Sequence, residues 1–329
     1  MRTAFFKLVR LVFVVLVVTF LSFSMLKLQE RKSDIVTKVA AFASQSEKER
    51  LSEEIGLKNP FFVQYGDWLW AFVQGDFGKT YTGGGEHITG VPVMDGVKKR
   101  LPVSLELMIY AQLLALLIAL PLGIYAAYKN GSIFDRLANL TMFAMLAIPA
   151  FLAALLLQIL AAKQPGLGLP TQYIGVGDFP LNPFSLENWK QMLLPTISLA
   201  IAQIAVYMRL LRSDMIATLQ EDFITTAKSK GIPARRVLLR HAFRPSSLTL
   251  LTVAGLNVGA LISGAIVVER IFGLPGIGGR LAEAILGTQS IEVQALIAVI
   301  AVIYVLVNFL VDILYTVLDP RIRHARAIA

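Results

Sequence analysis

The residues best suited to specific recognition form one polar, basic segment between two long apolar stretches. This segment runs from Glu221 to Pro233, and four arginines and one histidine follow it up to Arg244. In membrane proteins such dense positive charge belongs to the cytoplasmic side. Small residues at its centre, a stop at Gly231 and a restart at Pro233 predict a short helix. A helix between two membrane spans would offer a docking surface to a soluble cytoplasmic partner.

Groups of side chains that catalyse reactions or bind metals are not evident in the sequence. There is no Ser/His/Asp set and no carboxylate pair in a catalytic context. The histidines His87, His241 and His324 are far apart, and no H-E-x-x-H pattern occurs. Cysteine is absent, which excludes disulfides and thiolate metal sites. We therefore predict no catalytic residues, no metal ligands and no cofactor bound by this chain itself.

One glycine-containing segment superficially resembles a phosphate-binding loop. Gly75–Thr80 has two residues between its glycines. A Walker loop needs four, so that successive N–H groups wrap a phosphate. The segment therefore does not predict nucleotide binding.

A second segment rich in Gly and Pro, Phe272–Gly279, lies just outside the predicted fifth membrane span. Irregular backbone at membrane depth is tolerated where it is buried or faces a water-filled path. One interpretation is a tight re-entrant turn, and the other is a gate or pathway wall. The polar residues in the fifth span and at its end have the same two interpretations: they either form structural contacts between helices or line a pathway. The candidate pathway or gate residues are Asn257, Ser263, Glu269, Pro275 and Gly276.

Apolar runs of membrane length must position these segments. Hydrophobic residues make up 56% of the 329-residue chain and charged residues only 16%, compared with roughly 25% charged residues in an average soluble domain. Runs of about 20 apolar residues can cross a hydrocarbon core of roughly 30 Å, and each must be helical to satisfy its own backbone. We predict six spans, at about 5–25, 103–128, 137–161, 192–211, 248–268 and 293–314.

The placement of lysine and arginine predicts the orientation of these spans. Positive charge concentrates at both termini and in the connections after the second and fourth spans, whereas the loop 29–100 is nearly balanced. Both termini are therefore predicted to be cytoplasmic and loop 29–100 external. The net charge of +9 is then largely a topology signal and does not indicate nucleic acid binding. The first span has the basic start of a signal peptide, but no A-x-A-like site follows, which favours an uncleaved anchor.

This topology divides the chain into three predicted parts. They are an N-terminal transmembrane helix at 1–28, an extracytoplasmic loop or cap at 29–100, and a core at 101–329 with five helices and a cytoplasmic loop at 213–246. The external loop carries an aromatic patch at Phe61–Trp70. This patch fits either a small folded cap or a docking surface for an external partner.

Several motifs, in the same order along most of the chain, resemble one family of transporters. The chain resembles the inner-membrane permease subunit of bacterial dipeptide and oligopeptide ABC importers, a type also used for nickel and glutathione. The motifs are Gln64-Tyr65, Gly75–Gly78, Arg100–Pro102 with Leu105–Leu107, Gly131–Arg136, the block from Glu221 to Arg244, Glu269–Phe272 with Pro275–Gly278, and Val311–Tyr315 with Leu318–Arg323.

The resemblance implies a fold, a location and a set of partners. The fold would be an all-α, six-helix type I ABC importer permease with an extracytoplasmic insertion between helices 1 and 2. The chain would lie in the bacterial inner membrane and form half of a pathway for di- or oligopeptides. Its partners would be a second permease, two cytoplasmic ATPases that bind ATP and Mg²⁺, and an extracytoplasmic binding protein. The permease itself would not be an enzyme. The alternative is a membrane scaffold or sensor that binds a cytoplasmic partner without moving solute.

In the resembled family, the cytoplasmic block couples the permease to its ATPase. Counted back from Gly231, Thr225, Thr226 and Ala227 occupy the family's E-A-A positions, and the usual Glu is absent. Small side chains at Thr226, Ala227 and Gly231 would let the ATPase approach closely. The candidate coupling residues are Glu221, Asp222, Thr225, Thr226, Ala227, Lys230 and Gly231.

Two departures from the family pattern leave the substrate open. Leu26–Glu30 stands where the family often has P-G-D-P, and Thr288–Ile291 replaces its R-D-Y-P. Both segments are predicted to lie outside the membrane near the substrate entrance. A dipeptide, an oligopeptide, a nickel chelate and glutathione all stay open as substrates.

Overall fold

Helices dominate the computed structural model, which describes residues 2–30, 59–83, 88–175 and 182–318 together with Glu49 and Glu53. The helices are α1 (Arg2–Glu30), α2 (Phe61–Val73), α3 (Val93–Tyr128), α4 (Ile133–Ala147), α5 (Ala150–Lys163), α6 (Leu186–Leu219), α7 (Asp222–Ser229), α8 (Ala234–Leu256), α9 (Val258–Phe272), α10 (Ile277–Leu286) and α11 (Ser290–Leu318). Strands β1 (Lys79–Gly83) and β2 (Ile88–Pro92) form an antiparallel hairpin, with Thr80 opposite Val91. The predicted helical class is confirmed, and the hairpin is an additional feature.

Four helical segments are long and apolar enough to cross a membrane. They lie in α1, α3, α6 and the Ser290–Val311 part of α11. Two bent pairs are also long and apolar enough when taken together, and each is either a broken span or a re-entrant loop: α4 and α5 meet at 101°, and α8 and α9 at 44°. The described residues therefore hold four candidate spans, or up to six if each bent pair is one span. Where the sequence predicted an uninterrupted third and fifth helix, the structure has a break.

The two breaks have different local causes. Ile148 is extended, with ψ at 112°, because the residue before a proline is disfavoured in helical conformation. Pro149 then leads into α5, and its missing N–H prevents α4 from continuing. Asn257 keeps a nearly helical backbone, with φ at −71° and ψ at −7°. The break at proline is accordingly the sharper of the two.

The first of two compact units consists of residues 1–103 and 275–306. In it, the amide of Gln294 on α11 donates to the carbonyl of Thr19 at 3.0 Å and accepts from the hydroxyl of Ser22 at 2.7 Å. Arg280 of α10 forms a bidentate ion pair with Glu292, with N–O distances of 2.6 and 2.8 Å. Hydrogen bonding to Glu292 raises the pKa of the Arg280 guanidinium, so this arginine stays charged. These polar contacts tie α1 and α10 to the start of α11.

An aromatic cluster joins α1 to α2 in the same unit. The ring of Phe23 lies 5.4 Å from that of Phe61 and 5.5 Å from that of Tyr65. The hydroxyl of Tyr65 is also 3.0 Å from that of Thr19, which is fully buried. On another face of α2, Trp70 is 68% exposed. The packed face fits a folded cap, and the exposed face keeps the alternative of a docking surface open.

The second unit, residues 104–274 and 307–329, is organised around α6. This helix packs against α4, α5, α8 and α9. It is the least apolar of the four long candidate spans and the most buried, with 61% of its span residues buried against 11% in α1. Glycines allow close packing. A Cβ on Gly123 of α3 would lie 3.3 Å from the carbonyl of Met208, and one on Gly264 of α9 would lie 2.7 Å from Leu199.

The tightest glycine contact in this unit joins α8 to α11 and carries a prediction. A Cβ on Gly255 would lie 2.0 Å from Cγ1 of Val311. We expect Gly255→Ala to separate the two helices and to lower the free energy of unfolding by about 1–3 kcal/mol. Thermal unfolding of the detergent-solubilised protein measures this loss. The double variant Gly255→Ala/Val311→Ala should recover most of it, and an equal loss in both variants would contradict the assigned contact.

Candidate functional site

The basic segment folds as the predicted short helix, α7, between the two long helices α6 and α8. Glu221 has extended backbone, with ψ at 150°, and α7 begins at the next residue. At the other end, the N–H of Gly231 bonds the carbonyl of Lys228 at 2.9 Å, and that of Ile232 bonds Ala227 at 3.3 Å. This pair of bonds, with Gly231 at a φ of 72°, is a Schellman motif. The predicted helix and its glycine stop are confirmed.

The two faces of α7 differ in exposure. Ile224 and Ala227 are buried, at 0% and 6% exposure, and α7 packs against the π-helical segment Val237–Ala242 of α8. Ala227 therefore faces the protein's own bundle, so its small size serves internal packing rather than the approach of a partner. Phe223 is 48% exposed. The exposed candidate coupling residues are Glu221, Asp222, Thr225, Thr226, Lys230 and Gly231.

Hydroxyl groups connect the helices on either side of α7. The hydroxyls of Thr218, at the end of α6, and Ser246, on α8, are 3.0 Å apart. Ser246 is buried and also donates to the carbonyl of Ala242 at 2.9 Å. This contact joins the end of α6 to α8 at the base of the segment that carries α7.

A buried ion pair lies one to two turns before the end of α6. Asp135, at 3% exposure, is on α4 and pairs with Arg212 on α6. The guanidinium contacts both carboxylate oxygens, with 2.8 Å between Nη2 and Oδ2. Oδ2 also accepts the N–H of Gly131 at 2.9 Å, and Asn139 donates to Oδ1. The connection between α3 and α4 is therefore fixed to α6 close to α7. Asp135 belongs to the sequence motif Gly131–Arg136, but nothing in the sequence predicted that it would pair with Arg212.

A cavity of about 430 Å³ lies between α7 and the ends of the long helices of this unit. Its walls come from the end of α3, the residues after it, the end of α6, Lys228 of α7 with the residues that follow this helix, and the start of α8. The lining residues are Ala127, Tyr128, Asn130, Ile216, Leu219, Gln220, Lys228, Ile232, Ala234, Val237 and Leu238. Sequence reasoning did not predict this cavity, since its lining is drawn from separate segments.

Asn257, a candidate pathway residue, forms a hydrogen bond to α6 at the break between α8 and α9. Its amide donates to Oε1 of Gln203 at 2.9 Å. The hydroxyl of Tyr207 donates to Oε1 of Gln112 at 3.0 Å, and Tyr207 is fully buried. One of these hydrogen bonds links α6 to the bend, and the other links α6 to α3. The first is the interhelical hydrogen bond that one of the two sequence interpretations of Asn257 requires.

Removing the amide of Asn257 is expected to destabilise this bend. In Asn257→Leu, Oε1 of Gln203 loses its hydrogen-bond donor in a poorly hydrated setting, which costs about 1–3 kcal/mol. Thermal unfolding of the solubilised protein measures the change. Ser263→Ala is the matched control, because the hydroxyl of Ser263 is exposed and bonds the carbonyl of Gly259 in its own helix at 3.2 Å. Equal losses in the two variants would contradict a stabilising role for the hydrogen bond between Asn257 and Gln203.

The other candidate gate residues fall in separate surroundings. Glu269 is fully buried near the end of α9, and its carbonyl accepts the N–H of Leu274 at 2.9 Å. Gly273 ends α9 with a φ of 66°, and Gly276 precedes α10 as its N-cap. Pro275 and Gly276 belong to the first unit, whereas Asn257, Ser263 and Glu269 belong to the second. The candidate residues therefore do not form one cluster within either unit.

The glycine-containing turn at 75–80 uses its own backbone groups locally. The N–H groups of Gly75 and Asp76 bond carbonyls in α2, and the carboxylate of Asp76 accepts the N–H of Gly78 at 2.9 Å. Lys79 and Thr80 continue into strand β1. These N–H groups are not arranged to wrap a phosphate. Within the described residues, no three His, Cys, Asp or Glu side chains are grouped to hold a metal ion.

Comparison with known families decides what kind of membrane protein carries this site. Residues 119–324 match the family described as binding-protein-dependent transport system inner membrane components. The chain belongs to this family. The matched range begins within α3 and includes α7, the cavity and the hydrogen bond between Asn257 and Gln203. Membership supports the transport interpretation and does not support the scaffold or sensor alternative.

Individual relatives extend the similarity beyond this range. A Brucella abortus protein assigned to a peptide transport system as its permease is 35% identical over 312 residues, which cover 94% of this chain and 95% of that protein. The oligopeptide transport system permease of Bacillus subtilis is 35% identical over 281 residues, which cover 85% of this chain and 86% of that protein. For the dipeptide transport system permease of Escherichia coli K12, the identity is 35% and the shares are 84% and 85%. The similarity to peptide transport permeases therefore covers most of this chain and most of each of these relatives.

Proposed function

We propose that this chain forms half of the translocation pathway of an ATP-driven importer for di- or oligopeptides. The proposal rests mainly on α7. One face of this short helix is exposed, the other packs on α8, and the helix ends in a Schellman motif. Such a helix suits mechanical coupling to a soluble partner. The relatives' names supply the substrate class.

The proposed assembly contains three further kinds of subunit. A second, related permease would complete the pathway, and two cytoplasmic ATPases would bind ATP and Mg²⁺. An extracytoplasmic binding protein would deliver the peptide. The chain itself would not hydrolyse ATP. The candidate coupling residues on the exposed side of α7, including Thr225, Thr226 and Lys230, would contact the ATPase.

The proposed architecture is the six-span type I permease fold in the bacterial inner membrane. Each bent pair of helices would count as one span. Residues 1–28 would anchor the chain, 29–100 would form an external insertion, and 101–329 would be the permease core with the coupling loop at 213–246. Both termini would be cytoplasmic.

In the proposed mechanism, closure of the ATPases displaces α7 and changes the arrangement of the bundle. The buried Ile224 and Ala227 would transmit the displacement to α8, and the contact between Thr218 and Ser246 would transmit it to α6. The bend at Asn257 lies further along the same path. The ATPases can shift this equilibrium only by the difference in their affinity for the two states.

Reconstitution of the whole complex tests the proposed function. Proteoliposomes containing both permeases and both ATPases should accumulate labelled di- or oligopeptide only with ATP and the loaded binding protein. Peptide accumulation without ATP, or binding of the cytoplasmic partners without any uptake, would contradict an ATP-driven importer. Identifying the ligand that co-purifies with the binding protein would define the cargo.

An engineered cysteine tests the topology independently. Because the natural chain has no cysteine, Lys228→Cys provides a single thiol on α7. The proposal predicts that an impermeant thiol reagent labels it in inverted membrane vesicles but not in intact cells. Labelling from outside intact cells would place α7 on the wrong side and contradict the assigned orientation.

A further inference from the structure

The cavity beside α7 has walls of two chemical types. Lys228 contributes an ammonium group, and Asn130 and Gln220 contribute amide groups. Leu219 and Val237 are among the residues that provide an apolar wall. A volume of about 430 Å³ accommodates a polar group with a short apolar attachment. The expected ligand is therefore amphiphilic.

Charge around the cavity favours an anion. Lys129 lies next to the lining, with its ammonium 5.4 Å from the ring centroid of Tyr128, a lining residue. Arg235 and Arg236 are exposed and follow the lining residue Ala234. Three acidic residues lie within two positions of a lining residue: Asp214 is half-buried, Glu221 and Asp222 are exposed, and none of them lines the cavity. The lining contains Lys228 and no carboxylate, so its charge favours an anionic group.

Exposed aromatic residues place the cavity at the depth of lipid headgroups. Tyr125 and Tyr128, in the last turn of α3, are 47% and 48% exposed. The ring of Phe134, on α4, packs edge-on against Tyr125 at 4.7 Å. Tyrosines that are followed directly by a lysine are typical of the boundary between membrane and water. An anionic amphiphile at this boundary is most simply a membrane phospholipid.

We propose that this cavity binds the headgroup of an anionic phospholipid such as phosphatidylglycerol, with its phosphate against Lys228, its glycerol hydroxyls against the amides of Asn130 and Gln220, and the start of its acyl chains against the apolar wall. The proposal rests on the proposed function in one respect, since it requires α7 to be cytoplasmic. Basic pockets on the cytoplasmic side of membrane helices attract anionic lipid through the same forces. The bound lipid would contact α7 and α3 together and would hold α7 against the bundle.

Native mass spectrometry of the detergent-solubilised complex measures binding directly. After incubation with equal amounts of phosphatidylglycerol and phosphatidylcholine, the wild type should retain phosphatidylglycerol preferentially. Lys228→Gln should lower the ratio of lipid-bound to free complex about fivefold, the effect of one lysine near a lipid surface. Ala234→Trp, which fills the cavity without changing charge, should also lower it. The matched control is Arg235→Gln, which removes an equal charge outside the lining and should change the ratio less than about twofold.

Several outcomes would overturn the proposal. Equal retention by the wild type, Lys228→Gln and Ala234→Trp would show that the lipid binds elsewhere. Displacement of phosphatidylglycerol by inorganic phosphate at similar concentration would identify a site for soluble anions instead. Loss of the lipid whenever the ATPases are bound would assign the cavity to the ATPase contact. This binding readout needs no transport, so a complex that binds the lipid but moves no peptide would disprove the proposed function alone.

Discussion

Replacing Gly231 by leucine is expected to abolish the stimulation of ATP hydrolysis by loaded binding protein in the reconstituted complex. Gly231 has a φ of 72°, which costs a residue with a branched side chain about 1–2 kcal/mol. That cost corresponds to about a 5- to 30-fold loss of the correctly ended helix. Because Gly231 is exposed and its Cβ position faces open space, the side chain would also project towards an approaching ATPase. Substrate-stimulated ATP hydrolysis and peptide uptake are the measurements.

Gly231→Asn is the matched control for this prediction. Asparagine tolerates the left-handed conformation, and no atom lies within 4 Å of the added Cβ. This variant should keep most of the stimulation, and both variants should reach normal abundance in the membrane. Undiminished stimulation and uptake in Gly231→Leu would show that α7 does not couple the two subunits. The assigned mechanism would then have to be abandoned.

Replacing Asp135 by asparagine is expected to cause the largest loss of stability of any change considered. Asp135 is 3% exposed, and its carboxylate holds Arg212 on α6. Asparagine keeps the volume but leaves the guanidinium of Arg212 without a counter-charge. Removing one partner of a fully buried pair costs about 3–5 kcal/mol, and because the Arg212 side chain is 19% exposed we expect a loss of about 3 kcal/mol. The expected results are low membrane abundance and early thermal unfolding in detergent.

The double variant Asp135→Asn/Arg212→Met separates charge from packing. Removing both charges eliminates the unpaired guanidinium, so the double variant should be more stable than Asp135→Asn. Lys163→Met, at the exposed end of α5, controls for loss of a positive charge. If Asp135→Asn unfolded at the wild-type temperature, the ion pair would not stabilise the junction of α4 and α6.

The local features of α7 could be predicted because they depend on neighbouring residues. A glycine that adopts positive φ and a proline that restarts the chain act within one or two turns, so the sequence identified the stop at Gly231 and the start after Pro233. Pro149 is a local signal of the same kind, since a proline cannot continue the preceding helix. The long apolar run around it nevertheless suggested one continuous third helix, and the break at Pro149 was missed.

Contacts between distant segments could not be predicted in the same way. The direction in which Ala227 faces depends on where α8 packs, and the pairing of Asp135 with Arg212 depends on α4 lying beside α6. The bend at Asn257 has no proline or glycine at the break itself. Its amide bonds instead to α6, a partner 54 positions away from it in sequence. Such positions are set by tertiary packing, which a single sequence does not display.

The low apolarity and high burial of α6 have a consequence for how the chain is made. A helix enters the bilayer from the translocation machinery according to its own transfer free energy, which is least favourable for the least apolar segment. α6 is that segment among the four long candidate spans, and 61% of its span residues find protein rather than lipid in the folded chain. We therefore expect earlier helices such as α4 and α5 to assist its insertion during synthesis. Truncations that remove these neighbours should lower the fraction of α6 that inserts across the bilayer.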